Sequence, residues 1–189
     1  MKARMMALVM IVAGCGGNAV TPPATTPMGR PPMALVPPVV PAELAVPEGH
    51  KLVLIARATG VQIYECAPDA SGALGWKLHA PRADLLDDAE TVIGSHYGGV
   101  DKGLPPGPYW ASQDGSRVHG AKPVSAPHEG SIPLLRLEAA EVSGPGVLGK
   151  ITFVQRLETT GGGAPAGACD AGKPAEVPYT AKYYFYAAR

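Results

Sequence analysis

Two segments near the C-terminus alternate apolar and polar residues with a period of two. They read "KITFVQRLE" (150–158) and "VPYTAKYYFYA" (177–187), and both are rich in the β-branched and aromatic residues that suit a pleated surface. A period of two sends successive side chains to opposite faces of a β-strand. Further strand-like runs are "KLVLIAR", "GVQIYEC", "LGWKLHA" and "SIPLLRLEA".

The sequence contains no long segment with the i, i+3, i+4, i+7 spacing of an amphipathic helix. A preference for helix is confined to "APRADLLDDAET" (80–91). Residues 58–60 predict a short turn between the first two strand-like runs. The pattern therefore predicts an all-β fold, an antiparallel sandwich or barrel with long Gly/Pro-rich loops and at most one or two short helices.

The N-terminus has the features of a bacterial lipoprotein signal. Lys2 and Arg4 precede an apolar stretch of about ten residues, which is too short to span a bilayer, since crossing takes about 20 residues. Val12-Ala13-Gly14-Cys15 resembles a lipobox, in which the cysteine becomes the lipidated first residue. We expect a signal peptide at 1–14 and a membrane-anchoring lipid on Cys15. The alternative is an ordinary signal peptide in which Cys15 is incidental.

Proline recurs from Gly16 to Pro41, and Arg30 is the single charge in that stretch. Proline removes backbone donors and favours an extended conformation, so the segment predicts a spacer rather than part of a core. A proline-rich ligand for a partner protein is the alternative. The predicted organisation is a signal peptide (1–14), a lipidated Cys15 with a Pro-rich linker (15–42) and a single β domain (43–189).

The charge balance of the exported chain excludes one class of partner. Removal of Lys2 and Arg4 leaves 14 basic residues against 16 acidic ones. A slightly acidic chain offers no electrostatic footprint for nucleic acid.

Gly16 after the lipobox is typical of a protein exported to the outer membrane. We therefore expect a cell-envelope localisation, attachment through the N-terminal lipid, and a glycan or protein of the envelope as partner.

Two cysteines remain once Cys15 is assigned to lipid. Cys66 ends a strand-like run and Cys169 lies in a Gly-rich loop. An even pair in an exported chain predicts one disulfide, and this one would close a loop of about 100 residues. Two separate thiols are the alternative.

The motifs of well-known enzyme classes are missing from the sequence. The stretch "GPGVLG" (144–149) fits G-x-G-x-x-G, but Pro145 lies inside it and a strand-like run follows, so it predicts a turn between two strands. There is no G-x-S-x-G elbow, no Walker lysine loop and no H-E-x-x-H. The sequence predicts no cofactor and favours a protein that is not an enzyme.

Three histidines cluster in the middle of the chain, at positions 96, 119 and 128. His96 and His119, with Asp101 or Asp114, would suit a two-histidine, one-carboxylate metal site. Ser116, Asp114 and His96 can also be drawn as a hydrolytic triad. The alternative is that all of them are ordinary surface or strand-end residues.

Aromatic residues flank the Gly/Pro loop in the same region. Tyr97, Tyr109 and Trp110 lie close in sequence to Asp114, and aromatic faces beside a carboxylate are typical of a shallow pocket for a carbohydrate or another amphipathic ligand. The alternative places Trp110 in the core of its strand. The candidate ligand-binding residues are His96, Tyr97, Trp110, Asp114 and Ser116.

Several blocks occur in one order along the chain. They are "GVQIYEC", "GWKLHAPRADLL", "IGSHYGG", "YWASQDGSRVHG", "SIPLLRLEA", "ITFVQRLETTGGGAPAGACD" and "VPYTAKYYFYA". Together they resemble the exported bacterial and fungal family catalogued as domain of unknown function 3455. The resemblance implies an exported β-rich domain and no established reaction. The two cysteines fall in the family's Y-x-C and G-x-C blocks, which supports the predicted bridge.

Three functions are compatible with these features. The preferred one is a tethered, disulfide-closed β domain that binds an envelope ligand or partner without catalysis. The second is a metal-dependent or hydrolytic enzyme, which requires His96, Asp114 and His119 to converge within about 3–5 Å of a common point. The third is a structural protein of the envelope.

Overall fold

The computed structural model describes residues 35–189, which form a closed antiparallel barrel of eight strands. Each strand pairs with its neighbours in the sequence, and the last pairs with the first. The strands are β1 (His50–Pro68), β2 (Leu74–Leu86), β3 (Val92–Gly98), β4 (Pro108–Ser112), β5 (Arg117–Ala126), β6 (Leu134–Ser143), β7 (Ile151–Gly161) and β8 (Ala175–Ala188). The helical segments of this region are three 3-10 turns, η1 (Ala42–Leu44), η2 (Gly99–Lys102) and η3 (Val147–Lys150). The predicted all-β fold is confirmed.

β1 and β8 form a large part of the sheet because their pairing with each other closes the barrel. A barrel has no free edge that could pair with another chain. β1 pairs with β2 from Arg57 to Pro68 and with β8 from His50 to Tyr64, so the first strand of the barrel also closes it by pairing with the last.

In residues 35–189 no helix combines the length and the apolar character needed to cross a bilayer.

The predicted turn at residues 58–60 was wrong, because β1 runs through it without a break. Ala58 pairs with Leu85 on one side and with Ala181 on the other. Gly60 is a point of close approach instead of a turn, since a Cβ there would come within 2.5 Å of Ala83 Cα.

The helical leaning of residues 80–91 was also wrong. Most of this segment belongs to β2, whose Ala83 and Leu85 are buried. The strand stops at Asp87, whose Oδ1 accepts the backbone N–H groups of Ala89 and Thr91. Pairing with β1 and β3 overrides the local preference of a short segment. The stretch 144–149, by contrast, forms the predicted turn between two strands, with η3 at its end.

The interior of the barrel holds the main core. Its largest fully buried side chains include Trp110, Tyr183 and Phe185, and the rings of Trp110 and Tyr183 meet edge to face at 5.3 Å. Leu148 of η3 and Ile151 belong to the same cluster. The two central aromatics and η3 therefore fill one end of the barrel.

A second cluster lies on the outer surface, where the segment before β1 covers the sheet. Leu44 of η1 is fully buried there, and Val40 from the predicted linker packs against the same cluster. Gln155 is buried but fully paired: its Nε2 donates to Leu44 O over 2.7 Å, and its Oε1 accepts from the Tyr186 hydroxyl over 2.9 Å.

The two ends of the barrel differ, and they are named here for what they contain. The closed end carries the β2–β3, β4–β5 and β6–β7 connections and η3. The mouth carries the other four connections, 69–73, 99–107, 127–133 and 162–174. Cys66 and Cys169 form a disulfide with a Cα–Cα distance of 5.5 Å, which confirms the predicted pairing and ties the 162–174 loop to the end of β1.

Candidate functional site

A cavity of about 490 Å³ opens at the mouth. Its size falls within the range of roughly 300–1,000 Å³ that is usual for small-molecule sites. Inward-facing side chains form its inner wall, and residues of β2 and of the 99–107 connection form its rim. The lining residues used below are Gln62, Leu78, His79, His96, Val100, Leu135, Leu137 and Arg156.

Gln62 is the most unusual residue of this wall. It lies near the end of β1 and is 1% exposed. Neither its Nε2 nor its Oε1 has a hydrogen-bond partner among residues 35–189. Leaving a buried amide without partners costs about 1–3 kcal/mol. A donor and an acceptor are therefore held unpaired at the edge of a ligand-sized space.

His96 projects inward from β3, beside the cavity. Its Nδ1 lies 2.8 Å from Tyr109 O, and because a carbonyl accepts, Nδ1 carries the proton and Nε2 is an acceptor. The ring stacks on Trp110 with centroids 4.6 Å apart. Burial lowers the pKa of His96 to about 3, so the ring is neutral at physiological pH.

Arg156 brings a positive charge into the same space. It lies opposite Tyr183 in the β7–β8 register, and residues opposite one another share a face of the sheet. Its Nε and Nη2 both donate to Pro133 O, over 3.2 and 2.9 Å. No carboxylate of residues 35–189 forms an ion pair with it. Burial raises the pKa of Tyr183, and the Arg156 charge opposes that rise, as expected for a cation inside the barrel.

The rim is formed by β2 and the η2 segment. Leu78 and Val100 are 54% and 45% exposed, so the opening of the cavity is apolar. His79 Nε2 lies 2.7 Å from Asp101 Oδ1 of η2, and His79 Nδ1 lies 3.3 Å from Glu65 Oε1. The hydrogen bond with Asp101 is the main cause that raises the pKa of His79. His79 therefore holds the η2 segment beside the opening.

The 162–174 loop begins beside Gln62 of the cavity wall, since a Cβ on Gly162 would come within 3.2 Å of Gln62 Cγ. The Tyr64 hydroxyl donates to Gly162 O over 2.7 Å, and the Cys66–Cys169 bridge holds the loop further along. Gly162 itself is buried against Tyr179. Two separate connections of the mouth are thus held in place, one by an ion pair and one by a disulfide.

A wider depression of about 900 Å³ lies on the outer surface of β1, β2 and β3. Several of its charged side chains are already paired: Arg82 Nη2 lies 2.7 Å from Glu176 Oε2, and His79 bonds to Asp101 and Glu65. Gln62 does not line it. The mouth cavity is the stronger candidate because it alone of these two spaces borders polar groups that lack partners.

The histidines proposed as metal ligands lie on opposite faces of the sheet. His96 faces the interior, whereas His119 stacks on the outward-facing ring of Tyr109 at 4.2 Å. Both histidines line the mouth cavity, His119 with its Nε2 3.3 Å from Pro106 O. Tyr97 stacks on the other side of Tyr109 at 5.7 Å, so these three rings form an outer ladder. In residues 35–189 no group of three or more His, Cys, Asp or Glu side chains is placed to hold a metal ion.

Asp114 and Ser116 lie at the closed end, where they hold η3 in place. Asp114 Oδ1 accepts the backbone N–H and the hydroxyl of Ser116, and its Oδ2 accepts the N–H of Val147 over 2.9 Å. The Ser116 hydroxyl oxygen accepts the N–H of Leu148 over 2.9 Å. These bonds, that of the Ser116 hydroxyl above all, lower the pKa of Asp114 to about 2.

The five residues predicted to bind ligand therefore do not come together at one site. His96 lines the mouth cavity, Trp110 packs behind it in the core, and Tyr97 lies on the outer face. Asp114 and Ser116 belong to the other end of the barrel. The convergence that a metal or hydrolytic site at His96, Asp114 and His119 requires is not present.

Sequence reasoning did not single out Gln62 and Arg156, although a signal was there. The inward positions of β1 from 54 to 64 read Leu, Ala, Ala, Gly, Gln, Tyr, so Gln62 stands in an otherwise small or apolar row. Arg156 shares a face with Val154 in the same way. A long polar side chain in the buried row of a strand is the feature that would have identified both.

A model of the family described as protein of unknown function (DUF3455) matches residues 47–187, and the chain belongs to this family. The resemblance based on the ordered sequence blocks is thereby confirmed. No curated protein and no solved structure matches the chain.

Proposed function

We propose that this protein is a lipid-anchored component of the bacterial cell envelope whose barrel binds a small amphipathic ligand at the mouth, without catalysing a reaction. One observation carries the proposal: a ligand-sized cavity borders the buried Gln62 amide, whose donor and acceptor both lack partners. A structural core would be expected to satisfy or exclude such a group. A ligand with hydrogen-bonding atoms would satisfy it on binding.

The apolar rim supports an amphipathic ligand. Leu78 and Val100 stay exposed at the opening, and Leu135 and Leu137 line the wall further in. Burial of apolar surface contributes roughly 25 cal/mol per Å². A ligand with an apolar part at the rim and a polar part near Gln62 complements both features.

The chemistry of the wall favours binding over catalysis. His96 has a pKa of about 3, far below the working range of a general base, and its Nδ1–H is bonded to the main chain. The Ser116 hydroxyl is engaged with Asp114 and Leu148 at the closed end. The cavity is therefore equipped to hold a molecule and not to activate a nucleophile.

The location rests on the signal and on the disulfide. Residues 1–34, with the predicted signal peptide, Cys15 and most of the linker, lie outside the described residues. The Cys66–Cys169 bridge supports an exported domain, because structural disulfides persist in oxidising compartments. Membrane fractionation of cells that express the wild type or Cys15→Ser tests the anchor. We expect the variant to leave the membrane fraction, and retention there would refute lipid attachment.

Binding at the mouth is tested with N-phenyl-1-naphthylamine, a neutral apolar probe that fluoresces when it leaves water. Leu135→Trp would fill the wall of the cavity, and Val142→Trp places the same side chain at an exposed position of the closed end. We expect the wild type and Val142→Trp to bind the probe and Leu135→Trp to lose most of that binding. Equal binding by all three proteins would contradict a site at the mouth.

A further inference from the structure

We propose that the ligand is an amphipathic hydroxy acid, whose carboxylate binds Arg156 and the Gln62 amide N–H and whose neighbouring hydroxyl donates to the Gln62 carbonyl oxygen. This inference rests on the proposed function, since it names the chemical class that the mouth cavity takes. It follows from the charge of the wall, from the donors and acceptors left over, and from the position of the apolar surface.

The charge of the wall favours an anion. Arg156 lines the cavity, whereas no Asp or Glu of residues 35–189 does so. Two carboxylates beside the rim, Glu65 and Asp101, are engaged by His79. A partly buried cation without a counter-charge carries a desolvation penalty, and an anionic ligand would offset it. A cationic ligand would meet uncompensated repulsion at the same place.

The hydrogen bonds of Arg156 to Pro133 O use its Nε and Nη2. No carboxylate of residues 35–189 engages the guanidinium. Guanidinium donors match carboxylate oxygens in geometry, and such charge-assisted bonds are about twice as strong as neutral ones. A carboxylate accepts only, so it can also take a bond from Gln62 Nε2.

The Gln62 carbonyl oxygen requires a donor, which a carboxylate alone lacks. A hydroxyl beside the carboxylate supplies that donor, so that both atoms of the Gln62 amide are paired by one ligand. Arg156 and Gln62 line the same cavity, so one ligand can reach both. The Arg156 charge lowers the pKa of Tyr64 on β1 and of Tyr179 on β8 against the larger effect of burial, and these tyrosines flank Gln62.

The apolar part of the ligand is directed to the opening. Leu135 and Leu137 line the wall on β6, and Leu78 and Val100 form the exposed rim. An alkyl chain that starts at Arg156 and ends at the rim would cover this surface. The polar groups of the ligand would thus bind inside the cavity, and its alkyl chain would contact the apolar surface toward the opening.

Isothermal titration calorimetry of the full chain at neutral pH tests the inference with four probes of one chain length: 2-hydroxyoctanoate, octanoate, 1-octanol and octylamine. We expect octanoate to bind about tenfold or more tightly than 1-octanol, since one charge-assisted bond contributes that much. The hydroxy acid should bind several-fold more tightly than octanoate, and octylamine most weakly.

Variants identify the residues that recognise each group. Arg156→Met should reduce octanoate to the affinity of 1-octanol, and Gln62→Leu should remove the advantage of the hydroxy acid. Arg136→Met is the matched control, because Arg136 also donates to a main-chain carbonyl, that of Ala45, but lies on the outer face. It should bind all four probes as the wild type does. Arg156→Lys, which keeps the charge, should retain part of the preference for anions.

The outcomes separate the inference from the proposed function. Equal and measurable affinity for octanoate and 1-octanol would overturn the carboxylate assignment while leaving a binding cavity. Equal affinity for octanoate and 2-hydroxyoctanoate would overturn the hydroxyl assignment. Failure of all four probes, together with failure of the neutral fluorescent probe, would overturn the proposed function itself.

Discussion

The backbone of Gly162 lies directly against the side chain of Gln62, so that a Cβ on residue 162 would come within 3.2 Å of Gln62 Cγ. Gly162 also has a φ of +75°, in the left-handed region that favours glycine. The loop that the disulfide holds therefore packs beside the Gln62 side chain of the cavity wall. The conformation of this loop and the shape of the cavity are therefore coupled through Gly162 and Gln62.

Gly162→Ala should destabilise the fold by about 1–3 kcal/mol, because the new methyl group meets Tyr179 Cβ at 2.8 Å and the backbone is in a strained region for alanine. Gly163→Ala is the matched control one residue away, since a Cβ there has no neighbour within 4 Å. Urea unfolding of the two variants measures the difference. Equal stability of the two would mean that the loop does not pack on Gln62 in solution.

Removal of the disulfide by Cys66→Ser together with Cys169→Ser should lower the free energy of unfolding by about 2–5 kcal/mol. The bridge spans 103 residues and restricts the unfolded chain accordingly. Thermal unfolding with and without a reductant measures the effect. The wild type should lose stability when reduced and the double variant should be unaffected by reductant, whereas a reductant effect on the double variant would point to another thiol.

The fold class and the disulfide could be predicted because they depend on local signals. Alternation in the strands and an even pair of cysteines are both visible in the sequence. The errors at residues 58–60 and 80–91 have a common cause. Gly60 and the β2 segment owe their conformation to partners far along the chain, and neither a glycine nor a short charged run identifies those partners.

The candidate site was less predictable because it depends on which face of each strand turns inward. His96 and Tyr97 are adjacent in β3 and so point to opposite faces, as do Tyr109 and Trp110 in β4. These residues were grouped as one candidate site because they are close in sequence, whereas in the strands they lie on opposite faces of the sheet. Arg156 and Gln62 line one cavity because β1 pairs with β8 and closes the barrel, and the sequence pattern did not specify that closure.

Asp114→Asn should destabilise the closed end by about 1 kcal/mol at neutral pH, because the carboxylate accepts three hydrogen bonds that hold η3 and the preceding turn. The pKa of Asp114 is lowered in the folded state to about 2, from an ordinary 3.8. Its stabilising contribution is therefore fully present above about pH 4 and is lost as the pH falls toward 2.

Urea unfolding of the wild type and Asp114→Asn at pH 7 and at pH 2 measures this dependence. The difference between the two proteins should shrink at the lower pH. Asp170→Asn serves as control, because Asp170 is exposed and pairs only with Lys173 nearby. A difference for Asp114→Asn that is the same at both pH values would show that the charge of the carboxylate is not what stabilises η3.

His79→Gln should loosen the η2 segment in a pH-dependent way. The bond with Asp101 raises the pKa of His79 in the folded state, so its contribution is fully present below the unfolded pKa of about 6.5 and is lost as the pH rises through the raised folded value. Exposed ion pairs contribute at most about 1 kcal/mol, so the effect should be local.

Amide hydrogen exchange in the 99–107 connection, for example at the Leu104 N–H that bonds to Gly99 O, reports this loosening. In the wild type, opening of the segment should increase from pH 6 to pH 9 beyond the intrinsic exchange rate. His79→Gln should already be open at pH 6. His50→Gln, at the closed end, should behave as the wild type. A His79→Gln protein as protected as the wild type at pH 6 would refute the tether.

Gln62 and Gln155 offer the most direct comparison, since both are 1% exposed and their hydrogen bonding is opposite. Within the described part of the chain Gln62 has no partner for either amide atom, whereas Gln155 pairs with Leu44 O and with the Tyr186 hydroxyl. Gln62→Leu removes an unsatisfied buried group and should raise the free energy of unfolding by about 1 kcal/mol. Gln155→Leu leaves two partners unpaired and should lower it by about 1–3 kcal/mol.

Urea unfolding of both variants without ligand measures the contrast. Residues that serve binding are commonly less than optimal for stability, so a more stable Gln62→Leu protein with weakened ligand binding is the result expected of a recognition residue. A Gln62→Leu protein that loses as much stability as Gln155→Leu would show that Gln62 has a structural role.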